Sequence, residues 1–151
     1  MENSFVVLNG GATAPLGGLE VDSTAVDMVY VTVAGNAATA GAPATMNCVQ
    51  TVTGAVRNSV LVSGGASVDA AGCAQVTFEG NGADTDLGAG NTNVGAMQAG
   101  WFAGANDFHL AAGHPFGDVA TWKTGDPGKD YDGDARPGTD GAPDVAGADE
   151  P

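Results

Sequence analysis

Basic residues are the scarcest class in this chain: Lys and Arg together number 4 against 18 Asp and Glu, a formal net charge of -14 over 151 residues. A surface so acidic repels phosphate backbones and anionic membrane surfaces, which argues against nucleic acid as a partner. Helix-favouring Lys, Arg, Glu and Leu are few and aromatics make up only 6% of the chain, so long helices are disfavoured. No apolar run approaches the ~20 residues needed to cross a bilayer, which argues against direct membrane insertion. The start, Met1-Glu-Asn-Ser4, lacks a basic segment followed by an apolar one, and the expectation is a part of a longer exported protein whose signal lies upstream. Only two histidines occur, His109 in Asp-Phe-His-Leu110 and His114 before a proline. Neither has a Ser or Cys in a nucleophile setting or the His-Glu-x-x-His spacing of a helical zinc site, and His109 reads as an outward residue of a short strand.

Small residues take the place of what is missing. The 25 glycines, with abundant Ala, Thr, Val and Asn, separate short apolar stretches that alternate with period two. Val29, Val31 and Val33 alternate with Met28, Tyr30 and Thr32, and the pattern returns at Phe5-Val-Val-Leu8, Ser59-Val-Leu-Val62 and Val76-Thr-Phe78. The chain therefore reads as many short strands joined by Gly, Asn and Ala turns.

Repetition distinguishes among all-β arrangements. Asn3-Ser-Phe-Val-Val-Leu-Asn-Gly-Gly-Ala12 returns as Asn58-Ser-Val-Leu-Val-Ser-Gly-Gly-Ala66, with Val29-Tyr-Val-Thr-Val-Ala-Gly-Asn36 between them. The strand ends Asn9, Asn36 and Ser63 follow at steps of 27, and Met46-Asn-Cys48 is echoed by Ala71-Gly-Cys73 at a step of 25. Units of this length, with strands too short to bury a core alone, point to a solenoid of stacked turns. An antiparallel sandwich also uses short strands, but it does not require near-identical segments at a fixed spacing.

These segments resemble the bacterial right-handed parallel β-helix proteins of the polymorphic outer membrane protein and choice-of-anchor type. Gly10-Gly-Ala-Thr13, Gly64-Gly-Ala-Ser67 and Phe78-Glu-Gly-Asn81 are similar to that group's repeat elements, with Val6-x-x-Asn9 and Val33-x-x-Asn36 as weaker copies. Trp101-Phe102, Asn106-Asp-Phe-His-Leu110, Asp130-x-Asp-Gly-x-x-Arg-Pro137 and Asp144-Val-Ala-Gly-Ala-Asp-Glu150 resemble the order in which such helices end. Gly113-His-Pro-Phe-Gly-Asp118 and Ala99-Gly100 depart from that pattern at local turns. The resemblance implies an exported protein displayed on a bacterial surface or released from it, with adhesion or scaffolding as its role. A subset of such helices acts on polysaccharides and supplies the enzyme alternative.

Cys48 and Cys73 are the only cysteines. Equivalent positions on adjacent turns would put their Cα atoms about 5 Å apart, within reach of a disulfide, and the same stacking suits two reduced thiols packed as small hydrophobes. Asp130, Asp132 and Asp134 are candidate Ca²⁺ ligands, with Asp126 nearby. In Asp130-Tyr-Asp-Gly-Asp134 the glycine is fourth, unlike an EF-hand loop, and the same carboxylates also suit turn amides and Arg136. Trp101 and Trp122 are candidates for stacking on sugars or for core packing. The remaining carboxylates show no catalytic pair, and four basic residues offer little support for a lyase carbanion.

The expected architecture is all-β: a short right-handed parallel β-helix of about three to four turns over 1–112. An Asp/Gly/Pro-rich segment, 113–151, would cap its carboxy-terminal end in the same structural domain, with Arg136, Asp144, Asp149 and Glu150 as cap residues. The expected partners are upstream turns of a longer chain or a second copy meeting the first strand, and glycans in the alternative reading. No cofactor other than Ca²⁺ is implied.

Overall fold

A computed structural model of the chain describes residues 1–63, 68–69 and 72–151; the expected repeat at Gly64-Gly-Ala-Ser67 lies outside these residues. The protein is all-β, with a single-turn 3₁₀ element at Ala99–Trp101. In the main sheet β1 (Glu2–Val7) runs parallel to β3 (Ala25–Ala34), with Val6 opposite Val33. The first half of β3 then pairs with β5 (Thr53–Arg57) and its second half with β6 (Val60–Val62), both parallel. β7 (Val76–Glu79) continues from β5, β8 (Gly82–Ala83) from β6, and β9 (Thr92–Asn93) from β8. Between visits to this sheet the chain builds a narrower parallel pair, β2 (Leu19–Asp22) with β4 (Met46–Val49), extended by a bridge from Met46 to Val68. Successive passes are thus offset by 27, 28, 22 and 10 residues along the main sheet.

The sheet curls because equivalent residues of successive passes are left-handed. Asn3, Tyr30, Asn58, Gly80 and Gly90 form one such column, with φ of 40°, 54°, 54°, 67° and 83°. A left-handed residue rotates the strand and displaces its alternation by one. In β3, Met28, Val31 and Val33 consequently face the interior while Val29, Tyr30 and Ala34 face out. The period-two reading that set Val29 with Val31 and Val33 is corrected here: both Val29 and the adjacent Tyr30 lie on the outer face.

Three of the corners are closed by an asparagine, whereas the Val31 N–H is taken by Ser59 Oγ and the Ser63 N–H by Asp84. Gly35-Asn36, Gly80-Asn81 and Gly90-Asn91 place a positive-φ glycine before an Asn whose side chain reaches back to the previous pass. Asn36 Oδ1 accepts the Asn9 N–H at 2.8 Å and its Nδ2 donates to Val6 O at 2.9 Å. Asn81 does the same with Ser59 N–H and Val56 O, and Asn91 with Asn81 N–H and Phe78 O. The hydrophobic-x-x-Asn spacing therefore has a mechanism: the carbonyl of the hydrophobic position is the acceptor for the next pass's asparagine, which satisfies main-chain groups the bend removes from the strand ladder.

Two apolar clusters sit on opposite sides of the main sheet. The interior one joins Val26, Met28, Val31, Val33, Val56 and Leu61 with Met46, Cys48 and Val68 from the narrower sheet. Cys48 and Cys73 form a disulfide there, with Cα atoms 5.1 Å apart. The outer cluster packs Val29, Tyr30, Val60 and Val62 beneath Trp101, Phe102, Phe108, Phe116, Trp122 and Ala146. This cover contains two antiparallel hairpins, β10 (Phe102–Gly104) with β11 (Asp107–Leu110) and β12 (Ala120–Thr121) with β13 (Pro143–Asp144). The expectation that 113–151 caps the end of the last turn is corrected accordingly. The segment lies along the side of the sheet, because that face is apolar and a parallel strand buried on both faces needs a second cover.

Candidate functional site

The lateral segment is fixed by polar contacts to the first four passes beneath it, the central ones buried. Asn3 Nδ2 donates to Lys129 O, Thr32 Oγ1 accepts the Ala148 N–H, and Asn58 Nδ2 donates to Thr121 O while its own carbonyl accepts from Gly147. Lys123 Nζ reaches Glu79 at 2.8 Å across the exposed rim. On β5, Arg57 forms an ion pair with the buried Asp126, whose other oxygen accepts the Lys123 N–H at 2.9 Å.

Arg136 stands at the centre of this contact with its side chain fully buried. Its guanidinium carbon lies 3.7 Å from the centroid of the Tyr30 ring, Nη2 donates to Gly147 O at 2.8 Å, and Nη1 faces Asp144 at 3.4 Å and Glu150 at 3.3 Å. The left-handed backbone at Tyr30 turns this ring outward, and its hydroxyl donates to Asp144 Oδ2 at 2.7 Å. Burial and the bond to Asp144 push the Tyr30 hydroxyl far above its ordinary range. Burial, with the neighbouring Asp144, raises Glu150 to about 7 against the pull of Arg136. Arg136, Asp144 and Glu150 thus lock the segment to the side of the sheet, where the sequence set them as an end cap.

The three candidate Ca²⁺ ligands do not share one site. Asp130 is buried and its carboxylate is already engaged: Oδ1 accepts the N–H groups of Gly133 and Asp134 at 2.8 Å, and Oδ2 accepts that of Glu150 at 3.1 Å. Burial alone raises this acid, but the N–H groups of Glu150, Asp134 and Gly133, with Arg136, hold it below its ordinary value. Asp134 is exposed. Asp132 instead meets His109 and Asp149, and their ligand atoms lie within 4.8 Å of one another.

His109, expected from the sequence as an outward residue of a short strand, lies on β11 and is half-buried. Asp107 and His109 alternate on β11, so they share one face, and His109 Nδ1 is bonded to Asp107 Oδ1. That bond chiefly raises the imidazole above its ordinary range, aided by Asp149 and Asp132, and holds Asp107 below its own. Asp149 is buried, accepts the Leu110 N–H at 3.1 Å, and is pushed up by burial. The Asp-x-His spacing in Asp107-Phe-His109 was the available signal.

Of the two alternatives for the tryptophans, sugar stacking or core packing, the structure places both rings in the outer apolar cluster. Trp101 and Trp122 are both buried; Trp101 packs edge-on against Phe116, and Trp122 Nε1 donates to Pro127 O at 3.0 Å. The exposed ring is Tyr131, which packs edge-on against Phe5 beside His109 at a small recess that also includes Asn106 and Asp107. Among the described residues, no helix is long and apolar enough to cross a membrane. No protein-family model, curated protein or solved structure matches this chain.

Proposed function

We propose that the chain is a non-enzymatic structural or adhesive module: a right-handed parallel β-helix of three to four turns, clasped along one side, working on a bacterial surface or outside the cell. The observation that carries this reading is β1. It is hydrogen-bonded to β3 along one edge, and among the described strands nothing pairs with the other. An unpaired parallel edge is a template for a further pass of the same kind, supplied by a longer chain or by a second copy. The Cys48–Cys73 bridge suits an oxidising compartment, and the charge of -14 suits solubility there. Light scattering after size exclusion tests the copy-to-copy version, with a concentration-dependent mass above 14.7 kDa expected and a monomer at all concentrations against it.

The recess beside Phe5, His109 and Tyr131 favours a second reading, in which this surface binds a polysaccharide through ring stacking and the Asn106 and Asp107 side chains. A glycan array combined with a reducing-sugar assay separates the readings. Binding without released reducing ends agrees with an adhesive module; turnover of a polysaccharide overturns the non-enzymatic role.

A further inference from the structure

We propose that His109, Asp132 and Asp149 form a site for a divalent transition-metal ion of borderline softness, such as Zn²⁺ or Co²⁺, tying β11 to the β12–β13 loop and the carboxy-terminal segment. Three observations support it. His109 Nδ1 is occupied by Asp107, which fixes the ring and leaves Nε2 as its free ligand atom. That Nε2 is shielded from solvent and has no hydrogen-bond partner among the described residues; the nearest carboxylate oxygen, Asp132 Oδ2, is 3.6 Å away. The three donors come from separate parts of the chain, yet their ligand atoms lie within 4.8 Å of one another.

The arrangement follows the carboxylate–histidine–metal pattern, in which an outer acid orients the imidazole and raises its basicity. Donors bound at about 2.0–2.2 Å around a tetrahedral ion stand roughly 3.4 Å apart, so the widest pair, within 4.8 Å, must close by up to about 1.4 Å. Asp132 is the member suited to move: its side chain is 54% exposed and Gly133 follows it. Asp149 is held by the Leu110 N–H. One imidazole among three donors suits Zn²⁺ or Co²⁺ better than Ca²⁺, which prefers oxygen alone. Three protein ligands leave a coordination position for water on the exposed side.

Zn²⁺ titration by calorimetry, on protein first stripped with a chelator, tests the site. The expected result is saturable one-to-one binding, a raised thermal midpoint, a ligand-field absorption band with Co²⁺, and a ¹⁵N shift confined to the His109 Nε2 resonance. His109→Gln and Asp132→Asn should abolish the Co²⁺ band, and Asp107→Asn, which alters only the orienting acid, should weaken Zn²⁺ binding by about 10–100-fold. Cooperative unfolding of each variant in metal-free buffer establishes that it is folded, and Ca²⁺ should leave the midpoint unchanged. No saturable Zn²⁺ binding, or binding that survives His109→Gln and so belongs to the acidic surface at large, overturns the proposal.

Discussion

At the scale of the residue, the corner asparagines do the most with one side chain. Asn81 is fully buried, its Oδ1 accepting the Ser59 N–H and its Nδ2 donating to Val56 O and to Asn91 Oδ1. Asn81→Ala strands one buried donor and one buried acceptor, each costing about 1–3 kcal/mol, so a loss of about 2–6 kcal/mol is expected in denaturant unfolding. Asn81→Asp keeps the acceptor, loses the donor and brings a charge against Val56 O, and should recover none of it. Asn9 is exposed, and Asn9→Ala should cost less than about 1 kcal/mol. His114 carries a pH dependence. Burial holds its imidazole below the ordinary range, and its Nδ1 accepts the Phe116 N–H at 3.1 Å, a role only the neutral ring fills. The neutral ring's contribution is therefore complete above its unfolded value of about 6.5 and is lost as pH falls through the lowered folded value. The gap in thermal midpoint between wild type and His114→Gln should be constant at neutral pH and shrink below about pH 6.5; a gap that widens there would contradict this.

At the scale of the element, the bridge between Cys48 on β4 and Cys73 just before β7 closes a loop with a sequence separation of 25. Loop-closure entropy puts its contribution at about 3.5 kcal/mol. Cys48→Ser and Cys73→Ser should each lower unfolding stability by about that amount, and the double substitution should add little more. Mass spectrometry without reductant should find no alkylatable thiol in the purified protein. The corners explain how much of these elements was legible. The step of 27 from Asn9 to Asn36 is readable because the two passes have equal length and the same residue at the corner. The later steps of 28, 22 and 10 are not, since register is held by main-chain bonds while the connecting loops vary freely in length. The outward turn of Tyr30 escaped for a related reason: a left-handed tyrosine leaves no mark in an apolar alternation, whereas the Gly-Asn pairs announce the same corner openly.

At the scale of the whole molecule, the question is whether the carboxy-terminal segment, 113–151, finishes the sheet at its end or covers it along its side. Its internal counter-charge at Arg136 was legible, being the only basic residue after Lys129. The face it covers was not inferred, although Met28-Val-Tyr-Val-Thr-Val-Ala34 is the near-continuous apolar run that marks a parallel strand buried on both faces. The two arrangements differ in what truncation does. An end cap could be removed and leave the stacked passes folded beneath it. A lateral cover cannot, because removing 113–151 takes Phe116, Trp122 and Ala146 off Val29, Tyr30, Val60 and Val62 and leaves only the Trp101, Phe102 and Phe108 part of the cover. It also strands the Asn58 side chain, which bonds Thr121 and Asp126 across the contact. The truncated chain should therefore lose cooperative unfolding, bind a hydrophobic dye and aggregate, as a large exposed apolar patch requires. Restoring the segment as a separate polypeptide should recover the cooperative transition if the buried contact around Arg136 is sufficient to dock it. A 1–112 chain that stays monomeric and unfolds in one sharp transition would show that the outer face does not depend on its cover.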